Sequence, residues 1–167
     1  MHTQGINLFI VDDNKLLVTD LKNYLQGRFG LGINVSTFHN GESCIEKVDH
    51  ETHIVILDYF MEGKNGLDTL KSIKEINPKT EVIMLSGNED IAIAIESFRV
   101  GANDYVVKGA GSWKKISKIV EQIATAPIRL LVREFGVSKF MAIFLMTFVT
   151  MGIAVFIVMH YMNWARV

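Results

Sequence analysis

Apolar residues in this chain gather into short, β-branched runs separated by stretches of helical period. The clearest run is His53-Ile54-Val55-Ile56-Leu57, which stops abruptly at Asp58. It does not alternate with polar residues, so it predicts a strand covered on both faces, as in a parallel sheet. Residues 6–11 form a second such run, ending in Asp12-Asp13. Residues 33–38 form a third with partial alternation. Residues 81–85 form a fourth, ending in Ser86-Gly87-Asn88, and residues 104–107 a fifth, ending in Lys108.

The intervening segments read as helices. Asn14 is a good N-cap for a helix carrying Leu16, Leu17, Leu21, Tyr24 and Leu25, which stops within the glycines of 27–32. Residues 41–48 predict a short helix with Cys44, Ile45 and Val48 inward. A Gly-rich, charged loop, 59–66, leads to a helix through Ile76, which Asn77-Pro78 ends because a residue before proline avoids the α region. Glu89 or Asp90 opens a helix to Val100, closed by Gly101, with Ile91, Ala94, Ile95 and Phe98 on one face and Ile93 off it. Ser112 caps a last helix to about Ala126. Five strands alternating with five helices predict an α/β domain with right-handed crossovers and helices on both faces of a parallel sheet.

Composition changes this picture at one place, the tail. The 167 residues suffice for one domain with a proper core, with room for an appendage. The mean hydropathy of +0.25 is high for such a domain, and the excess comes from the carboxyl-terminal residues. Ala126-Pro127 predicts a helix break. Within 127–139, Ile128, Leu131, Val132 and Phe135 recur at helical spacing beside Arg129 and Arg133, which predicts a short amphipathic linker helix. Residues 140–159 hold no charge, and about twenty residues at about 1.5 Å each match a bilayer core of about 30 Å. The expectation is a single transmembrane helix over 140–160 with a short tail, 161–167, whose Tyr161 and Trp164 suit an interfacial belt. Arg129, Arg133 and Lys139 precede the span and only Arg166 follows it, so the preceding domain is expected on the cytoplasmic side of the membrane.

A net charge of -1 leaves no basic footprint for nucleic acid. The lone Cys44 excludes a disulfide framework, and the five histidines, His2, His39, His50, His53 and His160, lack ligand spacing. The candidate chemistry lies at the strand ends. In a parallel sheet all carboxyl ends share one edge, where such folds place their ligands. Asp12, Asp13, Asp58, Ser86 and Lys108 can therefore converge. Any one of them alone suits an ordinary cap or loop residue, Asp58 included. Three carboxylates together repel and call for a cation, and few hard oxygen ligands suit Mg2+ beside a phosphate. A lysine and a hydroxyl across the site suit phosphoryl oxygens.

This constellation resembles the receiver domain of two-component response regulators over about residues 5–125. The acid pair corresponds to Asp12-Asp13, the phosphoacceptor to Asp58, the hydroxyl and small residue to Ser86-Gly87, and the aromatic and lysine to Tyr105 and Lys108 within 101–108. Gly66-Leu67-Asp68 fits the start of the family's third helix. The resemblance implies a flavodoxin-like sheet of order 2-1-3-4-5 over 1–126. It implies transfer of a phosphoryl group from a histidine kinase or phosphotransfer protein to Asp58. Asp13, Asp58 and the Phe60 backbone carbonyl would hold Mg2+, with Asp12 reaching it through water. Ser86 would then swing to the phosphoryl group and Tyr105 move inward, altering the face of the fourth helix, fifth strand and fifth helix, with a downstream protein or a second copy as its partner. Such a chain is no enzyme beyond catalysing its own phosphorylation and dephosphorylation.

The chain departs from the family at three places. Lys108 is followed by Gly109-Ala110-Gly111 rather than proline. Glu62 stands where a proline is usual. Phe60, with Asn88, holds a position that tunes phosphoryl lifetime, and a bulky Phe60 is expected to shield the acyl phosphate. The favoured reading is a membrane-anchored, single-domain response regulator. Its alternatives are a phosphate-independent, membrane-tethered scaffold and a phosphorelay intermediate. A dehalogenase-type phosphatase would need Asp-x-Asp after the first strand, where Asp12-Asp13-Asn14 stands. A flavodoxin would need a hydroxyl- and glycine-rich loop there.

Overall fold

The computed structural model describes residues 5–87 and 91–164, with the backbone alone for 127–142, 160 and 162–164. Five strands, β1 (Ile6–Val11), β2 (Ile33–Phe38), β3 (Thr52–Asp58), β4 (Glu81–Ser86) and β5 (Asp104–Val107), form one parallel sheet of order β2-β1-β3-β4-β5. The helices are α1 (Lys15–Phe29), α2 (Gly41–Ile45), α3 (Gly66–Ile76), α4 (Ile91–Val100) and α5 (Ser112–Trp164), with a 3-10 turn over Gly30–Gly32. The expected sheet and its order are both present.

Period-two alternation within each strand divides the core in two. Leu8, Ile10, Ile54, Ile56, Ile83 and Leu85 face Val18, Leu21 and Leu25 of α1 and Ile116 and Val120 of α5. Phe9, Val11, Val55, Leu57, Val82 and Met84 face Cys44 and the α3 residues Leu70 and Ile73. Cys44 is fully buried, and burial pushes its thiol up to about 12, so it behaves as a small apolar residue.

Local chemistry fixes most boundaries. Asn14 caps α1 by accepting from the Leu16 and Leu17 amides, Asn40 caps α2 through the Ser43 amide, and Asn65 caps α3 through the Asp68 amide. Asn77 ends α3 in an extended conformation before Pro78.

Several expectations need correction. In α1 the buried residues are Val18, Leu21 and Leu25, whereas Leu16 is 72% exposed. In α4 Ile93 and Ala94 pack on the core and Ser97 is buried, while Ile91, Ile95 and Phe98 are exposed, so the inward face is nearly the reverse of the expected one. Ser97 bonds the Ile93 carbonyl within its own helix, which lets a polar residue face inward. α2 ends at Ile45, short of Val48. Ser112 is the first residue of α5 rather than its cap, and its hydroxyl donates to the Gly109 carbonyl. The helix continues through Pro127, where a break was expected; a proline within a helix removes a single amide donor.

The chain divides into two compact units, Met1–Ala124 and Thr125–Val167. The transmembrane helix and the membrane localisation do not stand: among the described residues no helix is long and apolar enough to cross a membrane. The side chains of the linker segment 127–139, and those at the ends of the expected span, lie outside the described residues.

Candidate functional site

The parallel register decides which side chains meet. Val11 pairs with Leu57, Asp58 with Leu85 and Ser86 with Val107, so β1, β3, β4 and β5 end side by side. Backbone bonds carry the alignment one residue past the strands. The Tyr59 amide donates to the Leu85 carbonyl at 2.8 Å, the Lys108 amide to the Ser86 carbonyl at 2.7 Å, and the Asp12 amide to the Phe38 carbonyl at 3.2 Å. Asp12, Asp13, Asp58, Ser86 and Lys108 therefore stand at one edge, as the strand pattern implied.

Their geometry is specific. The Lys108 Nζ lies 2.7 Å from Asp12 Oδ2 and 2.9 Å from Asp58 Oδ1. Asp12 and Asp58 are buried and Asp13 is exposed, and the three carboxylates place one oxygen each within 4.8 Å of one another. The second Asp12 oxygen, Oδ1, accepts from the Asn14 amide at 2.9 Å, which fixes its rotamer. Gly66 opens α3 directly against the Asp58 and Tyr59 backbone; a Cβ there would strike the Asp58 carbonyl oxygen, so only glycine lets α3 start this close.

Burial pushes the Asp58 carboxyl up to about 6, and the neighbouring charge of Asp12 adds to the rise, against hydrogen bonds from Lys108 and the Phe60 amide. Burial alone would pull Lys108 down, but its hydrogen bonds to Asp12 and Asp58 outweigh that and raise it, so the ammonium holds its proton firmly. Three carboxylates against one ammonium leave the site anionic. This is a hard-oxygen donor set that fits Mg2+.

The remaining predicted residues take distinct places. Ser86 is fully buried at the end of β4, and Gly87 beyond it is exposed. Tyr105 is buried with the α3 side of the core. Phe60 is 53% exposed, its ring edge-on to Tyr59 with centroids 4.8 Å apart. Asn88 lies outside the described residues. The glycines after Lys108 form a turn in which Gly111 takes φ +85°, a conformation that proline could not supply.

The fold, the aligned acids and the bridging lysine agree with the comparisons. The family described as "Response regulator receiver domain" matches residues 8–121. This chain belongs to the response regulator receiver family. Receivers of this family bind Mg2+ at the acidic pocket and interact with histidine kinases or phosphotransfer proteins. The transcriptional regulatory protein CpxR of Escherichia coli is 31% identical over 112 residues, 67% of this chain and 47% of CpxR. Transcriptional regulatory protein ZraR of the same species is 31% identical over 109 residues, 65% of this chain and 24% of ZraR. The chain thus spans about half or less of the length of these curated relatives. Among solved structures, the response regulator domain of Thermotoga maritima CheB superposes with a TM-score of 0.61 at 29% identity, covering 74% of this chain and 96% of that one.

Sequence reasoning missed two contributors to this receiver. His39 Nδ1 lies 3.3 Å from the Asp12 carbonyl oxygen, beside the acid pair. Glu42 reaches from α2 to the Lys64 amide in the loop that follows Asp58. Neither carries a signal in spacing: one histidine follows a strand, and one acid sits in a first helical turn, where acids are common.

Proposed function

We propose that this receiver accepts a phosphoryl group on Asp58 from a phosphohistidine donor and uses the modification to change a protein-interaction face. The observation that carries the reading is the Lys108 ammonium bridging Asp58 and Asp12 at the carboxyl edge of the sheet. An Asp58 oxygen attacks phosphorus in line with the departing imidazole nitrogen. The phosphorus–nitrogen bond breaks as the phosphorus–oxygen bond forms, and the imidazole keeps the bonding electron pair. Asp12, Asp13, Asp58 and the Phe60 carbonyl are the groups to hold Mg2+, which when bound neutralises charge on the phosphoryl oxygens. Lys108 sits where it can leave Asp58 for a phosphoryl oxygen while keeping Asp12. The protein's contribution is chiefly position and electrostatics.

After transfer, Ser86 supplies a hydrogen bond to the phosphoryl group and Tyr105 repacks, which couples the added charge to the face of α4 and β5. The chain then acts as a switch or a phosphorelay member that catalyses only its own phosphorylation and dephosphorylation. A phosphate-independent scaffold is the competing reading. Incubating the full chain with Mg2+ and acetyl phosphate separates them. The proposal predicts one added phosphoryl group by intact mass, lost when EDTA replaces Mg2+ and in Asp58→Asn. An unmodified wild type, under conditions that label another receiver, favours the scaffold.

A further inference from the structure

The loop from Tyr59 to Asn65 would carry the one backbone ligand of the metal, the Phe60 carbonyl, and it contains Glu62 and no proline. Its ends are fixed: the Tyr59 amide bonds the Leu85 carbonyl, and the Gly66 amide bonds the Tyr59 carbonyl at 3.0 Å. Met61 packs against the core beneath. At the outer turn the tether comes from another element. Gly63 takes φ +82°, which swings the Lys64 amide toward α2, where Glu42 Oε1 accepts it at 3.1 Å. A Cβ on Gly63 would lie 3.3 Å from that same oxygen, so the turn and the carboxylate are fitted to each other. The Lys64 ammonium meanwhile donates to Ser72 Oγ of α3 at 2.8 Å, holding the residue from its other end.

The base of this tether is rigid. Gly41, next to Glu42, packs so closely on α3 that a Cβ would strike the Thr69 hydroxyl, and Asn40 caps α2 through the Ser43 amide at 2.9 Å. We infer that Glu42 is a positioning residue: its carboxylate holds the loop after the phosphoacceptor in the conformation that presents the Phe60 carbonyl to Mg2+. This rests on the proposed function for the identity of the metal, but not for the tether itself.

Two readouts on the full chain test it: amide hydrogen exchange of the 60–65 segment without metal, and Mg2+ affinity by calorimetric titration with MgCl2. Glu42→Ala is expected to speed exchange at the Lys64 amide and to weaken Mg2+ binding about fivefold, in line with loss of one ordinary hydrogen bond. Glu42→Gln keeps an acceptor oxygen without the charge, and is expected to stay near wild type in both. Glu42 is exposed, so thermal melting without metal should be unchanged in either variant. Wild-type exchange and affinity in Glu42→Ala would overturn the inference. Equal weakening in the Ala and Gln variants would also overturn it, because the carboxylate would then act by charge alone. If wild type itself bound no Mg2+, the metal chemistry proposed for the site would fall, and the exchange comparison would still judge the tether.

Discussion

Lys108 lies between two buried carboxylates that repel each other, and most of the site's energetics follow from that. Removing the ammonium as Lys108→Met leaves Asp12 and Asp58 buried and uncompensated. At pH 8 without metal this should cost about 3 kcal/mol in urea unfolding, because breaking one side of a buried pair strands the other. Saturating Mg2+ should recover part of the loss. Asp58 makes a pH-dependent prediction. Its folded pKa of about 6 exceeds the ordinary 3.8, so the native state holds this proton more tightly than the unfolded chain. The contribution of Asp58 to stability is therefore full below about pH 4 and is lost as pH rises through 6. Asp58→Asn should match wild type near pH 4 and exceed it by about 3 kcal/mol above pH 7 in EDTA. Phe60 makes a kinetic prediction. Its half-exposed ring beside the phosphoacceptor should keep water from the acyl phosphate, so label on Phe60→Asn should decay several-fold faster, the size expected from one shielding side chain. Slower decay in the variant would remove shielding from the account. At this scale the sequence was most legible: Asp12, Asp13, Asp58, Ser86 and Lys108 stand at strand ends, and a parallel register carries strand ends to one edge. Glu42 and His39 were not legible, because their partners are backbone atoms far away in sequence.

Elements were legible where capping and burial agree. Asn14 and the Asn77-Pro78 stop mark their helices in both sequence and structure, whereas the Asn65 cap of α3 came only from the structure. The α4 face was misread because Ile, Ala and Phe fill most of that helix, and hydropathy alone does not choose a side. Ser97 decides it, by burying a hydroxyl bonded within its own helix. The start of α5 was misplaced by one residue because Gly111, with its positive φ, permits the turn that Ser112 then continues. The cap on α3 has a measurable weight. Asn65→Ala removes the acceptor of the Asp68 amide and should cost about 1 kcal/mol in denaturant unfolding, with Asn65→Asp close to wild type.

For the whole molecule, the five parallel strands with helices on both faces follow from runs of apolar residues without alternation, and the order β2-β1-β3-β4-β5 follows from the family resemblance. The tail did not follow. A charge-free stretch looks membrane-spanning by length and hydropathy, yet among the described residues no helix meets both conditions. All candidate site residues and both core layers fall within Met1–Ala124. A chain ending at Ala124 should therefore unfold in one cooperative transition and label at the wild-type rate; loss of labelling would mean that 125–167 contribute to the site.

The central claim is that Asp58, among three carboxylates within 4.8 Å of each other, is the one that carries the phosphoryl group. An acyl phosphate is reduced by borohydride to the corresponding alcohol, which marks its position permanently. The most direct measurement labels the full chain with acetyl phosphate and Mg2+, reduces it and maps the product by tandem mass spectrometry. Homoserine in place of Asp58, and at no other acid, is the predicted result. Homoserine in place of Asp12 or Asp13, or none at all in a chain that binds Mg2+, would contradict the account.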